Sequence, residues 1–291
     1  MQELLQYIFS GLTNGAIYAV IALGFSILYG ATRLINFAHG EFVMLGALGL
    51  ISLWQGLKIP LAIALVLAVL GVALIGFLFE RLAIRTVSRP EPIVLIIITV
   101  GASIFLRGVG MLVWGKDAHS APAFFSFAPI DVMGAKLLVQ SIWILGVVVA
   151  LTFALHAFFK KTLVGKAMTA ASISKKAAWL TGIPYEWMIL LAFVLSTATG
   201  AVAGVIITPI TMCSYDMGTL LGLKGFCSAM LGGLGSLWGA LAGGIVLGVL
   251  ESLGAGFLSS GYKDAIAFGL LLAILYIRPS GIFGAKDLHR F

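Results

Sequence analysis

The chain has 291 residues, 61% of them hydrophobic and 10% charged, with a mean hydropathy of +1.12 and a formal net charge of +7. So few polar side chains cannot coat a soluble globule of this length, and basic excess in so apolar a chain records membrane orientation, not nucleic-acid binding. Apolar runs of the ~20 residues needed to cross a bilayer recur along the chain without the alternation of an outer-membrane barrel. The fold class is therefore all-α: a polytopic transmembrane helical bundle, with residues 1–291 forming one domain.

In chain order, the first run opens at Leu4 after a start that carries Glu3 and no Lys or Arg, so it lacks the basic region of a cleaved signal and no processing is expected. A span is predicted near 4–30. Asn14 and Tyr18 lie four apart on one face of it, ~15–20 Å from its start at the helical rise. A polar pair at that depth either bonds to another helix or lines a wet path. Gly11 and Gly15 give the same helix a small face.

A second span is predicted at 34–54, and its entry is RLINFAHGEF, with Asn36, His39 and Glu41 inside six residues. Two readings stand: an ordinary turn that caps the helix, or broken backbone lining a cavity, as in transporters with discontinuous helices. No second His or Cys stands near His39, which argues against a metal ligand.

Spans follow near 60–80 and 92–112, with Arg81, Arg85 and Arg89 between them and Arg107 near the end of the latter. The segment 114–136 contains Pro122, Pro129 and four aromatics without helical period. It reads as a loop with room for a short helix, and it either receives a partner or caps the helix ends.

After a span at 137–159 the chain turns polar over 160–186, KKTLVGKAMTAASISKKAAWLTGIPYE, with five of the eighteen basic residues. A bare turn needs only a few residues, so a segment of this length ending in Gly182 and Pro184 reads as a docking surface. Spans at 187–210 and 262–277 flank a Gly-rich stretch at 217–257. Within it Gly235, Gly239 and Gly243 recur every four residues, beside a second small stripe of Ala240, Gly244 and Gly248, a pattern for close helix packing. Arg107 and Lys224 are long enough to snorkel, which leaves Glu251 as the intramembrane charge with a functional claim. Cys213 and Cys227 read as buried free thiols.

The basic residues cluster in three linkers: Arg81, Arg85 and Arg89; Lys160, Lys161, Lys166, Lys175 and Lys176; and Arg278, Lys286 and Arg290. The positive-inside rule makes all three cytoplasmic. The N-terminus is then outside and the C-terminus inside, with twelve basic residues inside, Arg33 included, against four outside, Lys58, Lys116, Lys136 and Lys263. Both ends of 217–257 fall outside, so it enters and returns near GGLGS at 232–236, as two crossings or as a re-entrant hairpin. The total is eight to nine membrane segments. No GxxxxGK[ST], HExxH or paired nucleophile and base occurs, so the chain reads as no enzyme.

The stretches GLTNGAIYAVIALGFSILYG, RLINFAHGEF, GKAMTAASISKKAAWLTGI, LGGLGSLWGALAGGIVLGVLE and YIRPSGIFG resemble, in this order and nearly end to end, the LivH-type permeases of branched-chain amino-acid ABC importers. The resemblance implies a multi-pass subunit of a bacterial or archaeal cytoplasmic (inner) membrane. It also implies a LivM-like second permease, two cytosolic ATPases that hold ATP and Mg, and an extracytoplasmic binding protein. No cofactor is implied in this chain. It raises Asn36, His39 and Glu41 as residues of the translocation path and, more modestly, Asn14 and Tyr18; Glu251 is a further candidate on its intramembrane charge. The segment from Gly165 to Gly182 corresponds to the coupling helix that meets the ATPase, with Gly165, Lys166, Lys175, Lys176, Ala177, Ala178 and Gly182 in it. Where relatives show Glu-Ala-Ala and then Gly four residues later, this chain reads Lys176, Ala177, Ala178 and Gly182. A glutamate contact to an ATPase arginine does not carry over; Lys176 either meets an acidic rim or is solvated. Sugar permeases typically carry Asp-Leu-Ser-Val-Gly where this chain has NFAHG. Importers of urea and short amides remain alternatives, as does a stand-alone ion-coupled transporter, which would need coupling-ion ligands near the midplane.

Overall fold

In a bilayer no hydrophobic force holds helix to helix, so close approach of backbones must supply the packing, and the small residues of the first helix dictate the centre of this structure. The computed structural model describes residues 2–87, 91–125, 128–132, 134–257, 259–278 and 281–283. Arg89, Lys286 and Arg290 lie outside the described residues, as do Pro279, Ser280 and Gly284 of YIRPSGIFG and three positions of the loop 114–136. Helix α1 (Gln2–Thr32) is buried from Gly11 onward over most of its circumference. A helix apolar all round has no reason to face water and can sit inside a bundle.

Around α1 stand α2 (His39–Ile51), which continues into a π-helical turn Ser52–Gly56, then α3 (Leu61–Phe79), α4 (Pro92–Trp114) and α5 (Val139–Lys161). Next come α6 (Leu163–Ile173), α7 (Lys175–Leu180), α8 (Tyr185–Ile207), α9 (Met217–Gly232), α10 (Leu237–Phe257) and α11 (Lys263–Ile277). Six helices among the described residues are long and apolar enough to cross a membrane: α1, α3 with its terminal π turn, α4, α5, α8 and α10. The chain is thus a multi-pass membrane protein. Helices α2, α9 and α11, with 13, 16 and 15 residues, fall short of the ~20-residue length. The span predicted at 34–54 lost its first turn: residues 33–38 are not helical, Arg33 takes a φ of 57°, and helix begins only at His39.

Helix α10 packs with two faces. Gly244 and Gly248 lie on α1, where a Cβ at Gly248 would stand 2.2 Å from the Gly15 nitrogen and one at Gly244 2.4 Å from the Ala19 nitrogen. Gly239 and Gly243 lie on α9 against the Gly232 and Ser228 carbonyls. Gly235, predicted to head that stripe, stands instead in the turn between α9 and α10 with φ 86°. The four-residue period runs on past the helix, into a place where glycine is needed for its backbone conformation.

The helix ends gather in two groups. At the Gln2 end, a two-stranded ladder, β1 (Ile130–Val132) and β2 (Ala135–Leu137), holds α1 through Gln6, whose Oε1 accepts from Lys136 N at 2.9 Å. This ladder stands where the sequence left room for a short helix; Gly134 at φ 85° makes its turn, and the Asp131 carboxylate accepts from the Gly134 nitrogen. Trp114 Nε1 donates to Ser52 Oγ at 2.6 Å, and residues 119 and 213 exchange two backbone hydrogen bonds, so these loops share that end. Cys213 is enclosed there, and burial pushes its thiol up to about 11, which makes it inert. At the Thr32 end, Gly235 lies beside Gly30, and Ile282 and Phe283 donate to the Leu231 and Gly232 carbonyls. Arg85 pairs with Glu186, and α6 and α7 cover α1 through Leu28, Ala31, Met168, Ala171 and Ala178.

Replacing Gly248 by Leu forces the α1 and α10 backbones apart. Overpacking of this kind costs ~1–3 kcal/mol, so Gly248→Leu is expected to lower the thermal unfolding midpoint in detergent by at least about 3 °C. Gly71→Leu, which meets nothing within 4 Å, is the control and should leave the midpoint in place.

Candidate functional site

The break between α1 and α2 is built by Asn36. Its Oδ1 accepts from Ala38 N at 3.0 Å and its carbonyl from His39 N at 3.1 Å, which starts α2 without a conventional cap. Phe37 N donates to Thr99 Oγ1 at 3.3 Å. Thr99 is seven residues into α4, so α2 begins ~10 Å inside the bundle and not at its edge.

His39 fills a slot. It is fully buried, and a methyl group at Gly24 of α1 would stand 2.3 Å from its ring; Gly200 of α8 closes the other side. Its ring meets Phe25 edge-on at 4.7 Å and its Nδ1 lies 3.4 Å from Ser196 Oγ. His39 is thus a wedge between α1, α2 and α8, and Asn36 sets the turn before it, while His39 Nε2 and Asn36 Nδ2 are buried without a partner. Glu41 differs. It is buried, its Oε1 accepts from Ser103 Oγ at 2.9 Å and Thr219 Oγ1 at 3.2 Å, and its Oε2 has no partner. Ser103 and Thr219 line a cavity of about 230 Å³ together with Arg107, Phe25, Phe37 and Phe226.

A second polar cluster joins α1, α9, α10 and α11. Glu251, fully buried, accepts on Oε1 from Tyr18 Oη at 3.2 Å, Lys224 Nζ at 3.0 Å and Lys263 Nζ at 3.3 Å. Lys224 also meets Asp264 at 2.7 Å and lies over the Tyr18 ring. Asn14, Tyr18, Lys224 and Lys263 line a cavity of about 260 Å³. Tyr18, read as half of a polar pair with Asn14, therefore bonds to a carboxylate more than two hundred residues away.

Arg107 and Lys224 were set aside on sequence as side chains able to snorkel, and Ser103, Thr219, Lys263 and Asp264 were not singled out. The register of α9 on α10 explains the place of Lys224. Successive contacts of Gly232 with Gly239 and Ser228 with Gly243 move one helical turn at a time, which puts Lys224 opposite the turn before Glu251. Among the described residues no group of three or more metal-ligating side chains comes together.

The segment 160–186 folds back beneath the bundle at the Thr32 end. Thr162 caps α6 by accepting from Gly165 N at 3.0 Å, and Gly165 is buried, since a Cβ would stand 2.3 Å from the Phe158 carbonyl. Ser174 caps α7 through Ala177 N, and Gly182, at φ 77°, ends the turn that follows it. Ala178 is buried, while Lys166, Lys175, Lys176 and Ala177 face outward. Lys175 lies over the Tyr185 ring at 4.8 Å. Ile173, Trp179 and Leu180 are 79%, 74% and 70% exposed. A shallow groove of about 590 Å³ runs beside them, lined by Lys175, Lys176, Trp179, Tyr185, Glu186 and Trp187.

Lys224 and Glu251 are enclosed; removal of one member of an isolated buried pair costs ~3–5 kcal/mol, here reduced because Lys263 and Tyr18 stay on Glu251, whereas replacing both by apolar groups is often neutral. Lys224→Met alone is expected to reduce folded yield and thermal midpoint more than Lys224→Met combined with Glu251→Leu, measured by fluorescence-detected gel filtration after heating.

With this geometry in place the likeness to known proteins is informative. Residues 7–275 match the family described as branched-chain amino acid transport system / permease component. The high-affinity branched-chain amino acid transport system permease protein BraD of Pseudomonas aeruginosa is 34% identical over 98% of this chain and 97% of its own length. LivH of Escherichia coli K12, of the same description, is likewise 34% identical over 98% and 97%. The ribose import permease RbsC of Haemophilus influenzae is 26% identical over 79% of this chain and 72% of its own. The chain belongs to the family of branched-chain amino acid transport system permease components.

Proposed function

We propose that this chain is a membrane-spanning subunit of an ATP-driven importer, supplying half of the translocation path for branched-chain or related amino acids delivered by an extracytoplasmic binding protein. A LivM-like permease supplies the other half, and two cytosolic ATPases hold ATP and Mg. The single observation that carries this reading is the α6–α7 platform. Large apolar side chains, Trp179 and Leu180, stand exposed among lysines at the end of the bundle where basic residues concentrate. Exposed apolar groups rimmed by charge mark a protein partner. Because α6 is seated on α5 by Gly165 and on α1 by Met168 and Ala171, a push on α7 passes into the central helix.

In this reading the Thr32 end is cytoplasmic and the Gln2 end external. The turn at 233–236 reaches the cytoplasmic side, which brings the crossings to nine. The membrane is the cytoplasmic membrane of a bacterium or archaeon. Loaded binding protein docks over the loops at 114–136 and 208–216, closure of the ATPases moves α6 and α7, and the paired permeases open inward. Glu41, with the Asn14, Tyr18 and Glu251 cluster, lies along the path; Asn36 and His39 set its geometry. Lys166, Lys175, Lys176 and Ala177 face the ATPase, Ala178 and Gly165 hold the platform from behind, and Gly182 lets the chain leave it. The lower identity to the ribose permease puts amino acids before sugars.

The full complex in proteoliposomes is expected to take up leucine only with ATP; uptake by this chain alone without ATPases would overturn the importer reading. Ala177→Arg and Gly182→Trp are expected to lower uptake per ATP hydrolysed by about tenfold, the scale of a typical coupling free energy, with the subunit still inserted. Unchanged uptake would remove the ATPase from this surface.

A further inference from the structure

The cavity between α2, α4 and α9 is amphoteric, and its donors and acceptors are fixed by Glu41. A carboxylate only accepts, so the hydroxyls of Ser103 and Thr219, 2.9 and 3.2 Å from Oε1, both donate to it. Each hydroxyl has one proton; Ser103 keeps both lone pairs and Thr219, which also accepts from Arg107, keeps one, and lone pairs are the complement of an ammonium group. The negative charge of Glu41 stands directly behind them. Its second oxygen is buried without a partner, so the charge is not spent on other protein donors.

Arg107 presents the opposite character to the same space. Its Nη1 reaches Thr219 Oγ1 at only 3.4 Å, a long bond that leaves most of the guanidinium fork unused, and that fork matches a carboxylate. Phe25, Phe37 and Phe226 line the same space, with ring centroids 5.7 and 5.8 Å apart along the series. Val100, Ile104 and Leu223, each more than a third exposed, rim the mouth. At about 230 Å³ the space is smaller than the ~300 Å³ at which pockets for drug-sized ligands begin. It admits a molecule of few heavy atoms.

We propose that this cavity is a subsite for a zwitterionic aliphatic α-amino acid. Arg107 takes the carboxylate, the oxygens of Ser103 and Thr219 take the ammonium, and the phenylalanine wall takes the side chain. Glu41 is a positioning residue: it holds the two hydroxyls and supplies the charge behind them. This deepens the amino-acid importer reading and rests on it. A uniform apolar tunnel would pass any small molecule, whereas Arg107 and Glu41, side by side on Thr219, select for a molecule that carries both charges on neighbouring groups.

The test is ligand-observed NMR on the assembled permease and ATPase complex without its binding protein, with leucine, leucinamide and 4-methylpentanoate as probes. Leucine is expected to bind at least about tenfold more tightly than the amide, which lacks the carboxylate, or the acid, which lacks the ammonium. Arg107→Gln should weaken leucine about tenfold and leave leucinamide unchanged, with Arg107→Lys restoring part of the loss. Ser103→Ala and Glu41→Gln should weaken leucine and leave 4-methylpentanoate unchanged. Equal binding of all three probes, or equal weakening of all three by Arg107→Gln and Ser103→Ala, overturns the subsite. In parallel, wild-type complex that drives ATP-dependent leucine uptake while showing no such discrimination loses the subsite alone; wild type with no amino-acid uptake loses the importer reading itself.

Discussion

Backbone contact at glycine is the constraint from which the rest of this molecule follows. Gly248 on Gly15, Gly243 on the Ser228 carbonyl, Gly40 on the Gly218 carbonyl and Gly204 on the Val43 carbonyl all bring main chains closer than any side chain would permit. Such contacts replace the hydrophobic drive that lipid cannot supply. They also fix the heights of α1, α2, α9 and α10 relative to one another. That fixing brings Tyr18, Lys224 and Glu251, from three helices, to one oxygen, and sets Glu41 between Ser103 and Thr219.

The two polar clusters so created are unlike. Around Glu251 two cations face two carboxylates, with Tyr18 as a further donor, so charge is balanced within the cluster and α9, α10 and α11 are tied together. Each glutamate keeps one buried oxygen without a partner, but around Glu41 the cation is only loosely held, through one long bond from Arg107 to Thr219. Burying such groups is expensive in a membrane, and unspent hydrogen-bonding capacity is what a ligand can use. The first cluster ties helices together, and the second is the one proposed to take a ligand.

Much of the bundle was legible in the sequence because long apolar runs have one reading in a bilayer. The predicted spans at 4–30, 60–80, 92–112, 137–159 and 187–210 coincide closely with α1, α3, α4, α5 and α8, and the GGLGS turn separates α9 from α10. The start of α2 was not legible. NFAHG serves a surface turn and a buried break equally well, and only the slot formed by Gly24 and Gly200 decides that His39 goes inside. Gly235 was assigned to a packing stripe because periodicity does not register where a helix stops. Lys224 and Arg107 were hidden for another reason: a long cationic side chain near a helix end snorkels by default, and the carboxylate that holds Lys224 and the hydroxyls beside Arg107 come from other helices. The exposed Trp179 and the buried Ala178, adjacent in sequence, likewise take opposite sides only once α6 is seated on α1 and α5.

The glycine contacts also separate the molecule into two ends, one closed by the β ladder and one by the α6–α7 platform, and transport from one to the other requires these to lie on opposite sides of the membrane. Impermeant maleimide labelling of single cysteines, introduced at Ser120, Lys176 and Ser236 in a Cys213→Ser, Cys227→Ser background, tests this most directly. Lys176→Cys and Ser236→Cys should react only from the cytoplasmic side, and Ser120→Cys only from the outside. Labelling of Ser120→Cys and Ser236→Cys from the same side would contradict it.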